Sequence, residues 1–455
     1  MSEYAAYRQR VQALRDQYAA IPAGAPVRLA KRTSNLFRAR AATGAPGLDV
    51  AGFDGVLSVD PARRRADVQG MTTYEHLVDA TLAHGLMPLV VPQLRTITLG
   101  GAVTGLGIES TSFRHGLPHE SVAEMDVLTG DGRIVTARPD NEHRDLFYGF
   151  PNSYGTLGYA LRLRIELAPV APYVRLTHVP FGQLPALFDA VASIVTHRRW
   201  AGRRVDFLDG MLVSPTEGYL TIGTFEDTSP YTSDYTGMDV YYRSIPRRRE
   251  DFLTVRDYLW RWDTDWFWCS GAFGAQNPRI RRWWPKSRLR SDVYWKLVRV
   301  DSRVGLSAAV DRVRGRPPRE KIVQDVEVPV ERAADFAVWF DREIGMSPLW
   351  VCPLRQRDPA VTWDLYAFDP GRTYVNFGFW GTVPLAPGRP DGHHNRLIEA
   401  KVDSLGGRKS LYSTAFYDED AFWELYGGAA YDVLKKTYDG EGRLLDLYAK
   451  CVGRR

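Results

Sequence analysis

Hydrophobic residues recur along the chain at two spacings, which together predict a mixture of helices and strands. Over residues 3–19 they alternate at spacings of four and three, the pattern of an amphipathic helix. Over residues 159–167 they alternate with Arg162, Arg164 and Glu166, the pattern of a strand with one buried face. The two periods predict an N-terminal helix and a sheet later in the chain.

Turn signals separate further predicted strands. Residues 122–128 and 133–136 flank a Gly-Asp-Gly turn, which is a strong hairpin signal. Residues 56–59 and 66–68 are predicted strands on either side of another turn, and a helix is expected to begin at Thr73. Helices and strands do not alternate as regular βαβ units, so the predicted fold class is α+β.

Length and composition are those of an ordinary globular protein of about two to three domains. The chain has 455 residues, of which 44% are hydrophobic and 25% charged, and this excludes disordered and fibrous classes. Its apolar runs are shorter than the roughly 20 residues of a membrane span. Arg8, Arg10 and Arg15 interrupt the N-terminal stretch where a secretory signal would have its apolar core. We therefore expect a cytoplasmic protein without a transmembrane segment.

The cysteines exclude two other kinds of scaffold. Cys269, Cys352 and Cys451 lie far apart in the sequence. Disulfide-rich domains and thiolate zinc sites need closely spaced cysteines. No metal site is expected.

The charge is modestly basic and is carried mostly by arginine. The net charge is +5, and the basic residues are scattered among acidic ones, so a nucleic-acid partner is not expected. The densest basic cluster, residues 279–290, surrounds Trp283 and Trp284. Arginine beside paired tryptophans suits a membrane interface. Peripheral contact with the inner face of a membrane therefore stays open.

Aromatic residues divide the chain into two regions. All 13 tryptophans lie at or beyond Trp200, and seven of them lie between Trp260 and Trp295. The first 170 residues are instead rich in small side chains. This distribution predicts a cofactor-binding domain followed by a domain lined with aromatic residues.

The segment from Thr98 to Gly116 is the main candidate for cofactor chemistry. It contains five glycines among Thr and Ser residues, so its backbone could approach a diphosphate closely and turn N–H groups toward it. Its spacing is neither the dinucleotide-binding Gly-x-Gly-x-x-Gly pattern nor a P-loop. A second glycine cluster covers residues 152–158. Two clusters linked by a hairpin are more specific than either alone.

The order of these motifs resembles a known family. The glycine-rich segment, the hairpin and the Gly-Thr-Leu-Gly sequence at 155–158 resemble the FAD domain of the p-cresol methylhydroxylase/vanillyl-alcohol oxidase superfamily. Within it, the sequence is most similar to the delta(24)-sterol reductase (Diminuto/seladin) branch. The resemblance runs from about residue 55 to 450, on the motifs Gly107-Ile108-Glu109-Ser110, Asp206-Phe207, Val323-Gln324-Asp325, Leu349-Trp350-Val351-Cys352-Pro353 and Phe422-Trp423-Glu424.

The resemblance implies a split FAD-binding domain under a central α+β cap. Residues 1–170 would form the N-terminal part of the FAD domain, 171–415 the cap or substrate domain, and 416–455 C-terminal helices that return to the FAD domain. Residues 31–35 would form the pyrophosphate loop. Some members of this superfamily carry a histidine in this stretch that bonds covalently to the flavin. Residues 31–40 contain no histidine, so we expect FAD to be bound non-covalently.

The resemblance also implies a set of FAD-binding residues. Glu109 is equally compatible with a structural carboxylate that accepts backbone N–H groups. The expected cofactor-binding residues are Thr96, Thr98, Leu99, Gly100, Gly101, Ala102, Gly105, Gly107, Ile108, Glu109, Ser110, Ser112, Gly116, Gly155, Thr156 and Gly158.

The implied chemistry is reduction of an isolated lipid C=C bond. Such a bond accepts hydride from flavin N5 only after protonation, and NADPH is the expected donor of electrons to the flavin. The acid or substrate-orienting candidates are Tyr412, Lys409 and Arg408, with Glu109 and His115 next. The aromatic residues would either stabilise positive charge in the site or form the cap core.

Several substrates and functions stay open at this point. The N-terminal membrane segment of the eukaryotic sterol reductases has no counterpart in the sequence, so we expect a methylene-branched fatty acyl chain, carried on a phospholipid and reduced to a methyl branch. A methyltransferase that installs the methylene group would be a partner. The alternatives are a delta(24)-sterol-type side-chain reductase, an FAD-dependent alcohol or sugar oxidase or dehydrogenase, and an FAD-fold scaffold without activity.

Overall fold

Two antiparallel sheets, each with helices packed against it, give the chain the predicted α+β fold. The computed structural model describes residues 3–31, 37–38, 47–304 and 317–452, with the backbone alone for 299–304. Of the predicted pyrophosphate loop, only Lys31 lies within the described residues.

The described helices and strands have the following bounds. The α-helices are α1 Glu3–Ala19, α2 Tyr74–Leu82, α3 Leu99–Gly105, α4 Ser112–His115, α5 Arg144–Gly149, α6 Leu184–His197, α7 Tyr241–Ser244, α8 Val255–Leu259, α9 Pro278–Arg281, α10 Ser291–Val304, α11 Ala333–Glu343, α12 His393–Ser404, α13 Glu419–Leu425, α14 Gly428–Tyr438 and α15 Leu447–Cys451. Short 3₁₀ turns cover Pro118–Ser121, Cys269–Phe273, Lys286–Arg288 and Val330–Arg332. The strands are β1 Arg28–Ala30, β2 Gly47–Asp49, β3 Val56–Asp60, β4 Arg65–Gln69, β5 Leu86–Pro88, β6 Val122–Thr129, β7 Ile134–Ala137, β8 Gly158–Pro169, β9 Tyr173–Phe181, β10 Arg199–Trp200, β11 Arg203–Arg204, β12 Phe207–Ser214, β13 Glu217–Glu226, β14 Glu250–Thr254, β15 Arg319–Pro329, β16 Leu349–Leu354, β17 Tyr374–Pro384 and β18 Arg408–Lys409.

The first sheet has the strand order β3-β4-β8-β6-β7, with β5 paired to β8. The predicted hairpin around Gly130 is confirmed as β6–β7, and the predicted strands at 56–59 and 66–68 are confirmed as β3 and β4. Thr73 caps α2, because its hydroxyl accepts the N–H of His76 at 3.3 Å. Helices α2, α3 and α5 cover one face of the sheet, and α1 covers the other.

Beneath α1 the polar face of β8 is buried as well as the apolar one. The Arg162 guanidinium lies 2.5 Å from Asp67, 2.5 Å from Glu124 and 2.8 Å from Asp126, and 8% of the Arg162 residue surface is exposed. The hydroxyl of Tyr7 on α1 donates to Asp126 at 2.9 Å. A paired and hydrogen-bonded charge can be buried in this way, although the alternation in the sequence predicts only one buried face.

The second sheet has the order β14-β9-β13-β12-β16-β17-β15-β18. Helices α6, α11 and α12 pack against one of its faces. On β15, Val326 and Val328 belong to that helix-side core. Asp325 lies on the opposite face, toward the first sheet.

The C-terminal segment returns to the first sheet and closes its edge. Lys435 on α14 donates to the carbonyl of Thr156 at 2.9 Å, and the hydroxyl of Tyr438 donates to Asp145 at 2.7 Å. The carbonyl of Arg443 accepts the N–H of Val27 at 2.8 Å. Both ends of the chain therefore contribute to one wall of the cavity described next.

Candidate cofactor-binding and active site

A cavity of about 880 Å³ separates the first sheet from the second. A volume of that size is typical of sites that hold a cofactor or a drug-sized ligand. Its walls come from the N-terminal segment, the glycine-rich segment, the second sheet and the C-terminal helices. The predicted site residues among its lining are Thr96, Thr98, Gly100, Gly101, Ala102, Gly105, Gly107, Ile108, Gly155, Gly158 and Tyr412.

The first half of the glycine-rich segment is helical, and its amide groups are already occupied. The N–H of Gly100 donates to the carbonyl of Gly70 at 2.9 Å, and the N–H of Gly101 donates to the hydroxyl of Thr98 at 3.2 Å. A Cβ on Gly100 would lie 2.8 Å from that same carbonyl of Gly70, so glycine is needed there for packing. In this part of the segment, helix α3 stands where an anion-binding loop was expected, although its glycines still line the cavity.

The second half of the segment offers backbone groups to the cavity. Leu106 ends α3 with a φ of 56°, an unusual value for a residue other than glycine. The N–H groups of Leu106, Gly107 and Ile108 donate to no other described residue, and all three residues line the cavity. Amides left unpaired in a pocket are available to a ligand acceptor.

One part of the cavity wall is strongly basic. Five cationic side chains line the cavity, whereas Asp325 is the one acidic residue among the described lining residues. Such an imbalance favours an anionic ligand such as a diphosphate. The cationic residues are Arg28, Lys31, Arg38, Arg443 and Lys450.

The part of the wall formed by the second sheet is aromatic. Trp266, Phe267, Trp350 and Trp380 line it, and Phe267 stacks on Trp380 with ring centroids 4.2 Å apart. Trp266 and Phe267 have φ values of 45° and 57°. Consecutive aromatic residues in the left-handed region are strained, and such strain concentrates at functional sites.

A buried hydroxyl and a buried carboxyl meet at this aromatic wall. The Trp380 indole donates to the hydroxyl of Tyr412 at 2.9 Å, and Asp325 lines the same cavity, close enough for its charge to affect that hydroxyl. Asn376 donates to Asp325 at 2.9 Å. Burial raises the pKa of Asp325 to about 6 and raises the pKa of Tyr412 well above its ordinary value. The pair can therefore hold a proton inside an apolar cavity near neutral pH.

Comparison with known proteins gives a consistent family assignment. A family model described as an FAD binding domain matches residues 10–138. Delta(24)-sterol reductase of Arabidopsis thaliana is 26% identical over 445 residues, which cover 89% of this chain and 76% of that protein. The human delta(24)-sterol reductase is 25% identical over 416 residues, covering 88% and 77%. Cytokinin dehydrogenase 7 of Oryza sativa subsp. japonica is 32% identical over 146 residues, covering 32% and 28%.

The chain is an FAD-linked oxidoreductase of the p-cresol methylhydroxylase type, in the delta(24)-sterol reductase-like branch.

The cavity of this FAD-linked oxidoreductase fits the cofactor of its family. The unpaired amides of residues 106–108 and the basic wall suit the diphosphate, and Gly155 and Gly158 line the same cavity. The aromatic wall with Tyr412 suits the flat flavin ring, where hydride transfer would take place. Among the described residues, no helix is both long enough and apolar enough to cross a membrane.

Six of the expected FAD-binding residues do not line the cavity. Some of them pack against other parts of the protein instead. A Cβ placed on Gly116, for example, would lie only 1.9 Å from the carboxylate of Glu120. The hydroxyl of Ser110 contacts that of Tyr258 at 2.8 Å. The six residues are Leu99, Glu109, Ser110, Ser112, Gly116 and Thr156.

Glu109 instead belongs to a buried ion network that joins the glycine-rich segment to the second sheet. The guanidinium of Arg261 donates to Glu109 at 3.0 Å and to Asp209 at 2.8 Å, and all three side chains are buried. Asp209 also accepts the indole N–H groups of Trp262 at 2.9 Å and of Trp350 at 3.3 Å. Glu109 thus has a structural partner, which is the Arg261 guanidinium and not the backbone N–H groups that were expected, and the network supports the aromatic wall through Trp350.

Two of the three acid candidates lie away from the cavity. Lys409 is completely buried on the helix side of the second sheet, where its ammonium lies 2.5 Å from Glu399 and 2.7 Å from the carbonyl of Thr414. Arg408 donates to the carbonyl of Gly407 at 2.8 Å and does not line the cavity either. Neither Lys409 nor Arg408 therefore lies where the predicted acid or substrate-orienting role would need it, because β18 turns one side chain into the core and keeps the other at the sheet edge.

His115 also lies outside the cavity. Burial and the nearby Arg114 lower its pKa to about 3, so it is neutral at physiological pH.

Asp325 is a cavity residue that the sequence analysis missed, because it belongs to a motif to which no role was assigned. The available signal was the pair Asp325 and Glu327, two carboxylates that alternate with valines on a predicted strand.

Proposed function

We propose that the protein reduces an isolated C=C bond of a lipid with its bound FAD, using NADPH as the electron donor. The preferred substrate is a methylene-branched fatty acyl chain of a phospholipid, which would become a methyl-branched chain. The similarity to delta(24)-sterol reductases over most of the chain supports reductase chemistry. The enclosed aromatic wall supports an apolar substrate.

The observation that carries the proposal is the Tyr412–Asp325 pair at the aromatic wall. An unactivated alkene is a poor hydride acceptor until one carbon is protonated, so the site needs an acid and little competing water. Tyr412 is a hydroxyl donor held by Trp380, and Asp325 supplies a carboxyl with a pKa raised to about 6. This arrangement has no evident use in a site that only binds FAD.

Proton and hydride together balance the reaction. Asp325 in its protonated form would replenish the proton that Tyr412 gives to one alkene carbon, and the ring faces of Trp266 and Trp380 would stabilise the cation formed on the other. When bound, FAD supplies the hydride that this second carbon takes up. Two electrons and one proton from NADPH, with one proton from solvent through the acid pair, complete the reduction.

Two alternatives have specific support. The names of the relatives favour a sterol side chain with a C=C bond as the substrate. The similarity of 146 residues to a cytokinin dehydrogenase favours oxidation of a substrate instead. In that case the acid pair would accept a proton rather than donate one.

The test is a pair of anaerobic half-reactions on purified, flavin-loaded protein. NADPH should bleach the flavin band at about 450 nm. Adding detergent-dispersed phospholipid with a methylene-branched acyl chain should restore the band, whereas the saturated methyl-branched lipid should not. If a delta(24)-unsaturated sterol alone restores it, the substrate class is the sterol. If alcohols or sugars bleach the flavin and NADPH does not, the reductase proposal fails.

Lipid analysis of the host would test the same proposal in the cell. Loss of the gene should cause methylene-branched acyl chains to accumulate at the expense of methyl-branched ones. A methyltransferase that installs the methylene group would be the preceding partner in this scheme. Loss of both genes should therefore remove both kinds of branched chain.

A further inference from the structure

We propose that an exposed surface next to the aromatic wall docks on an anionic phospholipid bilayer. The inference rests on the proposed function, because it describes how an acyl chain held in a membrane would reach the cavity. The surface, here called the interfacial patch, consists of three apolar residues and three arginines: Met238, Ile280, Trp283, Arg279, Arg282 and Arg288.

The apolar residues of the interfacial patch are unusually exposed. Trp283 has 82% of its surface exposed, the highest value among the large apolar residues that the structure describes. Ile280 lies one helical turn before Trp283, and the loop with Met238 is tied to the same turn, because Arg281 donates to the carbonyl of Gly237 at 2.6 Å. A fixed cluster of exposed apolar side chains indicates an interaction site.

The charge of the same segment is entirely positive. Between Trp266 and Ser291 the sequence has six basic residues and no Asp or Glu. Arg281 and Arg290 are engaged in pairs with Asp265 and Glu75. Arg279, Arg282 and Arg288 are exposed and form no ion pair with any other described residue.

The nearby carboxylates are already paired. Asp234 lies 3.1 Å from the ammonium of Lys286, and Asp239 lies 3.0 Å from the guanidinium of Arg248. Neither carboxylate therefore offsets the three arginines of the interfacial patch. Unpaired arginines beside an exposed tryptophan match the chemistry of an anionic lipid headgroup layer, where the indole enters the interface and the guanidinium groups meet phosphates.

Two consecutive aromatic residues of α10, Tyr294 and Trp295, lie between the interfacial patch and the cavity. Trp284, the next residue after Trp283, packs on Tyr294 with ring centroids 6.1 Å apart. Trp295 contacts Phe37 at 4.9 Å and Trp266 at 6.2 Å, and both of these rings line the cavity. The surface that would meet the bilayer is thus a few side chains from the place where the alkene would be reduced.

Vesicle sedimentation of the full-length protein tests the inference without any turnover. We expect binding to vesicles of equimolar phosphatidylglycerol and phosphatidylcholine, weak binding to phosphatidylcholine alone, and release at high salt. The triple change Arg279→Gln, Arg282→Gln, Arg288→Gln should weaken partitioning about a hundredfold, and Trp283→Ala about tenfold. The matched controls are Arg8→Gln, Arg15→Gln, Arg65→Gln, which remove the same net charge from exposed sites elsewhere, and Val433→Ala on exposed α14.

Each result decides the matter. Equal losses for the two triple variants would show that net charge alone drives binding, and would overturn the inference. Unchanged binding of Trp283→Ala, or no binding of the wild-type protein to anionic vesicles, would overturn it as well. Flavin content and reduction of detergent-dispersed lipid are measured in parallel. Vesicle binding without any alkene reduction would refute the proposed function and leave the docking surface standing.

Discussion

At the scale of single residues, the proposed reduction depends on a proton supplied by Tyr412 and Asp325. We expect Tyr412→Phe to lower alkene reduction by about 10²–10⁴-fold, the usual contribution of a general acid, while bleaching by NADPH continues. Asp325→Asn should have a similar effect on the same half-reaction. Stopped-flow measurement of the two half-reactions separates the steps, and loss of flavin from Tyr412→Phe would instead show that the hydroxyl is structural.

The same pair predicts a pH dependence of that half-reaction. Burial raises the pKa of Asp325 to about 6, so its protonated fraction, and with it the supply of protons, falls as the pH rises above that value. The rate of alkene reduction should therefore decrease above about pH 6 in the wild-type enzyme and lose this decrease in Asp325→Asn. A flat wild-type profile between pH 5 and 8 would show that the proton comes from elsewhere.

Glu327, two residues along β15, predicts an effect of pH on stability. Burial raises its pKa to about 8 from the ordinary 4.5, against the opposing hydrogen bond from Tyr366. A carboxyl with a raised pKa binds its proton more tightly in the folded chain, so its contribution to stability is complete below pH 4.5 and is lost as the pH rises toward 8. The free energy of unfolding should fall by about 1.4 kcal/mol per pH unit across this window.

The matching variant is Glu327→Gln, which cannot lose a proton. Denaturant unfolding at several pH values should show a shallower decline for Glu327→Gln than for the wild-type protein. Glu343→Gln, on the exposed surface of α11, should leave the wild-type slope unchanged. Parallel slopes for the wild-type protein and Glu327→Gln would contradict the assignment.

At the scale of elements, helix α3 presents Gly101 to the cavity. A leucine side chain there favours the helix but extends into the space proposed for FAD, with the hydroxyl of Thr98 2.8 Å from its Cβ. We expect Gly101→Leu to purify folded and colourless. Gly182→Leu is the control, because no heavy atom lies within 4 Å of its Cβ position. Flavin absorbance per protein is the measurement, and a fully yellow Gly101→Leu would move FAD away from α3.

Acid precipitation of the wild-type protein tests the non-covalent attachment of FAD. Residues 31–40 contain no histidine, so all flavin should appear in the supernatant. Yellow colour that stays with the pellet would reveal a covalent bond.

At the scale of the whole molecule, two ion pairs join the part of the chain around the first sheet to the part around the second sheet, at different depths. Arg261→Met would leave the buried carboxylates of Glu109 and Asp209 without their cation, at a cost of about 3–5 kcal/mol. Arg256→Met removes the exposed pair between Arg256 on α8 and Asp79 on α2, and should cost less than about 1 kcal/mol. Denaturant unfolding compares them directly.

Glu109→Gln is a less disruptive change in the buried network, and it keeps the comparison of unfolding free energies usable if Arg261→Met does not fold. Glu109→Gln leaves the Arg261–Asp209 pair in place and should cost less than Arg261→Met. Equal costs for Arg261→Met and Arg256→Met would show that the buried network does not hold these two parts of the chain together.

The sequence by itself determined the features that depend on neighbours along the chain. The turn around Gly130 makes the β6–β7 hairpin, and Thr73 caps α2, because backbone torsion and capping involve only a few adjacent residues. The order of the motifs along the chain was sufficient to predict the family, and the spacing of hydrophobic residues was sufficient to predict the α+β class. The resemblance to the family also pointed to Tyr412 as a site residue, and Tyr412 lines the cavity.

The tertiary structure decided which distant side chains meet. Asp325 and Tyr412 line one cavity, and Glu109 contacts Arg261, only because the second sheet packs over the glycine-rich segment. Lys409 pairs with Glu399 on the far side of that sheet, and Arg162 is buried beneath α1. Periodicity gives the face of a strand that is apolar. It does not give the partner that covers a polar face, because a charge is stable in the interior wherever packing supplies its counterion.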